Sequence, residues 1–178
     1  MESDPQSHGA PVILIAHEVL ERITTDAARY AGKQERGGIF IGLRRGPHVE
    51  IADVTLPMRW DFGTLISFQR SARGHQDAAL KRWRESEHTM DWVGEWHSHP
   101  ESDPNPSSID LHSWNRIVRD RAAPMVFLIV GFTARWVGLS VPGRTVPLRY
   151  FEAETSTAGI AFMTNERLVD SAAVKSSS

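Results

Sequence analysis

"GEWHSHPESDPNPSSIDLHSW", Gly94 to Trp114, brings three histidines and three prolines into one short span. The residues before it, "MDWVGEW", read as a strand whose C-terminal end runs into this span. Successive side chains of an extended strand point to opposite faces, so His97 and His99 point the same way and Ser98 points away. Pro100 ends the strand ladder, and "ESDPNP" predicts a rigid, extended excursion. From Ser107 to Arg119 the apolar residues Ile109, Leu111, Trp114, Ile117 and Val118 recur near helical spacing, with Ser107 suited to the N-cap. Asp110 then falls in the first turn, from which its carboxylate can swing toward the strand end. Two imidazoles and one carboxylate would hold a zinc ion with a fourth position open to water, the arrangement of catalytic rather than structural zinc sites.

Each part also has a plainer reading. A lone His-x-His pair carries little information, and Ser-x-x-Asp at a helix start is a capping box that needs no metal. Capping and metal binding do not exclude each other, because Ser107 can cap while its hydroxyl faces the site.

Outward from this span, "VILIA" at Val12–Ala16 is a short apolar run. In "HEVLERITTDAARYA", Val19, Leu20, Ile23, Ala27 and Tyr30 follow the pattern of an amphipathic helix, with Gly32 as its stop. "GGIFIGL" reads as a buried strand, "RRGP" as a turn and "HVEIADVTL" as the hairpin partner. "TLISFQR" reads as a strand and "AALKRWRESE", within Ser71 to His88, as part of a helix, while "MVFLIVGF", "RWVGLSV" and "TVPLRYFE" supply three closing strands. Mixed order with hairpins predicts an α/β fold: a mixed, largely antiparallel sheet flanked by helices. The polar tails 1–10 and 171–178 are expected to be loose, and residues 11–170 to form a single domain.

The composition narrows the function. The formal net charge is −2, and Lys and Arg form no continuous basic stripe, which argues against a nucleic-acid partner. There is no cysteine, which excludes disulfides, thiolate nucleophiles and cysteine-based zinc cages, so a metal here must use His and carboxylates. No stretch approaches the ~20 apolar residues of a membrane span, and the N-terminus lacks the basic start and apolar core of a signal peptide. A soluble, cytoplasmic protein with no membrane partner is expected.

The pattern His-x-His-Pro, six residues, Ser-x-x-Asp, present as "HSHPESDPNPSSID", resembles the signature of the JAMM metalloproteases, the catalytic MPN domains. "ERGGIFIG" resembles the family's upstream element, with Glu35 in the matching place. The wording around the motif is most similar to small bacterial members, including the isopeptidase that accompanies ubiquitin-like conjugation in CBASS anti-phage systems. The resemblance implies a cytidine-deaminase-like MPN/JAMM fold and a Zn²⁺ ion held by His97, His99 and Asp110. It further implies Glu35 as general base and Ser107 as oxyanion donor. The implied reaction is hydrolysis after the C-terminus of a ubiquitin-like modifier, as deconjugation or precursor processing, with a CD-NTase-type protein as one possible target. Two other functions compete: a non-catalytic MPN scaffold, and a zinc hydrolase acting on another amide. Without cysteine, the second structural zinc of some larger relatives has no ligands here.

The remaining candidates read as structural. Glu95 shares a strand face with His97 and reads as a surface or outer carboxylate, while His112 points away from Asp110 on the helix and reads as a non-ligand. His75 and His88 read as exposed helix residues. Trp83, Trp92, Trp96 and Trp114 read as packing. "GGIFIG" lacks the spacing of a phosphate cradle, and its glycines predict close backbone approach.

Overall fold

The computed structural model describes residues 10–64 and 68–165. In chain order the described elements are β1 (Ile13–Ile15), α1 (His17–Arg29), β2 (Gly37–Arg45), β3 (His48–Val54), β4 (Phe62–Gly63), β5 (Phe68–Gln69), α2 (Ala72–Glu85), β6 (Asp91–Ser98), α3 (Ser108–Arg121), β7 (Met125–Val130), β8 (Arg135–Ser140), β9 (Leu148–Thr155) and β10 (Ile160–Met163). Both tails fall largely outside the described residues, as do residues 65–67 of the expected "TLISFQR" strand, of which β5 is the described part.

The helices and strands are mixed as expected, but the sheet is not open. Eight strands close into a barrel in the order β1-β10-β9-β8-β7-β6-β2-β3. The closing strand is β1, which pairs parallel to β3 (Ile13 opposite Val49, Ile15 opposite Ile51) and antiparallel to β10 (Ile13 opposite Phe162). Even the short strands β1 and β10 thus have a neighbour on each side, and closure removes the sheet edges that an open sheet would expose.

Strand β7, "MVFLIV", is buried at every position because both of its faces are covered. Val126, Leu128 and Val130 join the larger core with Ile13, Ile15, Phe40, Ile51 and Trp96, together with Val19, Leu20, Ile23 and Ala27 of α1. Met125, Phe127 and Ile129 face the other way, into a second core with Trp114 and Val118 of α3 and Trp136 of β8. Trp114 lies stacked on Phe127 at 4.4 Å and on Trp136 at 5.5 Å between ring centroids. Burying large aromatics of this kind, at about 1.5–3 kcal/mol or more per side chain, anchors α3 to the barrel wall.

Two pairings bring distant parts of the chain to one end of the barrel. β2 runs antiparallel to β6, with Gly37 opposite His97, so the start of β2 meets the end of β6. β6 runs parallel to β7, with His97 opposite Ile129, and α3 makes the crossover between them. The N-terminus of α3 therefore returns to the C-terminal end of β6, the end where parallel α/β units place their ligands. No described helix is long and apolar enough to cross a membrane.

Candidate active site

The strand end, the proline loop and the helix start are each fixed separately. His99 donates its amide to the Val130 carbonyl at 2.9 Å, which carries the β6–β7 ladder one residue beyond β6. The excursion 100–106 is tied to the β7–β8 turn, where Phe132 and Ala134 donate their amides to Glu101 and Ser102 carbonyls at 2.7 and 2.9 Å. Ser107 caps α3 in a full capping box: its Oγ accepts from the Asp110 amide at 3.2 Å, and its own amide donates to Asp110 Oδ2 at 2.7 Å.

These constraints bring the expected residues together. Nε2 of His97 and Nε2 of His99 lie 2.9 Å apart; Asp110 Oδ1 is 3.2 Å from His97 Nε2, and Oδ2 is 3.3 Å from His99 Nε2. The ligand atoms of this trio all lie within 4.8 Å of one another. A neutral imidazole bears a lone pair on one ring nitrogen, and a carboxylate only accepts, so three lone-pair atoms facing one point form the surroundings of a cation. A tetrahedral ion with arms of about 2.0–2.1 Å sets neighbouring ligands about 3.3 Å apart, close to the separations here. The donor set fits a divalent metal.

Glu35 joins the trio from the other end of the chain. Past the last β2–β6 pair, Ser98 donates its amide to the Arg36 carbonyl at 2.8 Å and Arg36 donates its amide to Ser98 Oγ at 2.9 Å. This extends the antiparallel register so that Glu35 comes opposite His99. Gly38, three residues on, is a close approach of the kind expected for "GGIFIG": a Cβ there would lie 2.0 Å from the Thr55 carbonyl oxygen.

Electrostatics agree with this placement. Burial pushes the Glu35 carboxyl above its ordinary value; the imidazoles of His97 and His99 oppose this, while Asp110 and Glu101 add to it. Burial by itself would raise Asp110 too, but hydrogen bonds from His97 and His99, the His97 charge and the Ser107 hydroxyl hold it well below the usual carboxylate range. For His99, burial lowers the pKa, and the Asp110 hydrogen bond and the charges of Asp110, Glu35 and Glu101 outweigh it, giving a net rise.

Space lies on both sides of the trio. A cavity of about 240 Å³ is bounded by Glu35, His99, Pro100 and Phe132 together with Ala27 and Ala31 of α1. A second, of about 460 Å³, is bounded by His97, Asp110, Gly38, Glu95 and the α3 residues Ile109 and Ser113. Ile109 beside Asp110 and Phe132 beside His99 are both exposed, at 67% and 53%. Each cavity thus has an exposed apolar residue beside the polar centre.

The other candidates sort clearly. Glu95 is ion-paired with Arg70 on the wall of the larger cavity. His112 and His88 are exposed, and Trp96 and Trp114 are core residues, whereas Trp83 is 39% exposed. His75 is a correction: it is fully buried, because α2 has a non-helical break at Arg73 and Gly74 that turns it inward onto Thr55 and Asp61. Sequence reasoning does not single out Ser98 as a positioning residue. Its side chain points away from the metal ligands, as alternation requires, and its partner Arg36 is 62 residues distant in sequence.

Comparison with known proteins agrees with the geometry. The family described as prokaryotic homologs of the JAB domain matches residues 17–139. A Pseudomonas aeruginosa protein named CD-NTase/cGAS isopeptidase is 41% identical over 111 residues, spanning 61% of this chain and 70% of that protein. Proteins of the same name from Vibrio cholerae and Escherichia coli are 35% and 33% identical over 128 and 129 residues, covering 71% and 72% of this chain and 80% and 82% of theirs. The solution structure of a Desulfitobacterium hafniense protein superposes with a TM-score of 0.56 at 23% identity, over 73% of this chain and 85% of that one, and shares the fold. With the family's domain matched over residues 17–139, most of this chain, the chain belongs to the prokaryotic JAB-domain family.

Proposed function

We propose that the chain is a zinc-dependent isopeptidase that hydrolyses the bond after the C-terminus of a ubiquitin-like modifier. The observation that carries this reading is the grouping of His97, His99 and Asp110, with the buried Glu35 lining the same cavity as His99. A scaffold has no use for a buried carboxylate beside a trio of candidate metal ligands.

His97, His99 and Asp110 would hold the ion. Zinc so held supplies Lewis acidity and makes water a competent nucleophile near neutral pH. Glu35 takes the proton from the attacking water at its carboxylate and then passes it to the departing amine nitrogen, which is far more basic than a carboxylate. The Ser107 hydroxyl donates to Asp110 Oδ2 at 2.7 Å at rest, and a rotation about its Cβ–Oγ bond redirects its proton to a developing oxyanion while Oγ still caps α3. Direct attack by water needs no acyl-enzyme, which agrees with the absence of cysteine. The cavities on either side of the trio, one lined by Ile109 and the other by Phe132, suit an extended tail crossing the candidate ligands. The names of the relatives support a CD-NTase-type protein as the conjugated target, and hence a place in CBASS anti-phage defence.

The test is incubation of the zinc-loaded protein with a ubiquitin-like modifier fused to a C-terminal reporter, and with a CD-NTase carrying that modifier on a lysine. Cleavage after the modifier's last residue, blocked by a chelator, restored by zinc and slowed about a hundred- to ten-thousandfold in Glu35→Ala, is expected. Folded, zinc-loaded protein that leaves both substrates intact contradicts the reading.

A further inference from the structure

One buried polar cluster takes no part in binding the metal or in moving protons at the scissile bond. His75 is 0% exposed, with Nδ1 2.6 Å from Thr55 Oγ1 and Nε2 2.8 Å from Asp61 Oδ2. A carboxylate only accepts, so Nε2 carries a proton toward Asp61. Thr55 Oγ1 also accepts from the Ile39 amide of β2 at 2.8 Å, and the Thr55 carbonyl accepts from the Trp96 indole of β6 at 3.0 Å. Asp61 collects two further donors, the Met58 amide at 2.7 Å and the Ser71 amide at 2.8 Å, and so draws together the two ends of the connection between β3 and α2.

That connection touches Glu35 directly. The Glu35 amide donates to the Thr64 carbonyl at 2.7 Å, and a Cβ on Gly63 would lie 2.3 Å from the Glu35 carbonyl oxygen. The backbone carrying Glu35 thus rests against residues two and three positions beyond Asp61, with no slack for a side chain between them. On its other side, Glu35 is tied to β6 through Arg36 and Ser98.

We propose that Asp61, His75 and Thr55 are positioning residues for Glu35: they pin the β3–α2 connection onto β2 and β6, and the pinned connection sets the backbone that presents Glu35 to the metal ligands. The proposal rests on the reading of Glu35 as general base. The pin contacts neither the ligand trio nor the α3 cap, so loosening it displaces the base and leaves the metal site in place. A misplacement of about 1 Å in a reacting group costs up to about a hundredfold in rate.

The variants are Asp61→Asn, which keeps the size but surrenders one acceptor oxygen, and Thr55→Val, which removes the hydroxyl and keeps the β-branch. In the metal-free protein, hydrogen exchange of the Glu35 amide is expected to speed up about tenfold or more in both, with the Leu128 amide in β7 unchanged. In the zinc-loaded enzyme kcat is expected to fall about ten- to a hundredfold with KM and zinc affinity within about twofold, and Asp61→Asn is expected to add nothing in a Glu35→Ala background. The proposal is overturned by unaltered Glu35 exchange in both variants, by an unchanged kcat, or by an equal loss with and without Glu35, which marks a general loss of stability. A wild-type enzyme that hydrolyses no modifier conjugate defeats the functional reading instead, and the exchange measurement still decides whether the pin holds Glu35.

Discussion

Arg36 and Ser98 are joined twice, by the Ser98 amide to the Arg36 carbonyl and by the Arg36 amide to Ser98 Oγ, at 2.8 and 2.9 Å. This clasp brings Glu35 opposite His99, although the two are far apart in the chain. Ser98→Ala keeps the first bond and strands the Arg36 amide in a partly buried place, which costs about 1–3 kcal/mol. The expected outcome is a lowered Tm together with a fall in kcat larger than any change in zinc affinity. Chemical denaturation and isothermal titration with zinc separate the two effects.

Ser107 has two roles that substitution can part. Ser107→Ala removes the α3 cap and the hydroxyl, and is expected to cost about 1 kcal/mol of stability. Glycine is a tolerable N-cap, so Ser107→Gly should lose only a few tenths of a kcal/mol. Both should lower kcat by about a hundred- to a thousandfold if the hydroxyl serves the oxyanion. A Ser107→Gly enzyme with wild-type kcat restricts Ser107 to the capping role.

Tyr150 is 2% exposed and its Oη has no hydrogen-bond partner among the described residues. Burial pushes the phenol up to about 12 from an ordinary 10.0. By linkage, the folded state holds this proton after the unfolded chain has released it. The contribution is intact below about pH 10 and is lost as pH rises toward 12, at most about 3 kcal/mol in all. Tyr150→Phe should be at least as stable near neutral pH and should flatten the alkaline limb of the stability curve, measured by urea denaturation between pH 8 and about 11.

Trp114 is 3% exposed, stacked on Phe127 and Trp136, and its ring lies 5.9 Å from that of His97. Trp114→Ala opens the second core and is expected to cost about 3–5 kcal/mol. In a chain of this size that lowers Tm by about 10 °C, readable by calorimetry. Trp114→Phe should recover a large part of the loss.

The grouping of His97, His99 and Asp110 was legible because their spacing is local and fixed by rigid pieces: strand alternation aims His97 and His99 together, and the capping box at Ser107 fixes Asp110, whereas Glu35, far upstream, entered through the resemblance alone. The barrel was not legible. It is closed by β1 and β10, of three and four residues, too short to show a period, and by a parallel pairing of β1 with β3 that no local pattern announces. Nor was the burial of His75: its helix reads as amphipathic, and its partners Thr55 and Asp61 lie 20 and 14 residues upstream, across a break at Arg73 and Gly74.

The central claim is that His97, His99 and Asp110 hold a catalytic zinc ion beside Glu35. The most direct measurement is the zinc content of purified wild-type, Asp110→Ala and Glu35→Gln proteins by plasma mass spectrometry, set beside their cleavage of the modifier fusion. The account predicts zinc at about one per chain in the wild type and in Glu35→Gln, little in Asp110→Ala, and full cleavage in the wild type alone, with Glu35→Gln slower by about a hundred- to ten-thousandfold and Asp110→Ala inactive. Cleavage by metal-free Asp110→Ala, or undiminished turnover in Glu35→Gln, would contradict it.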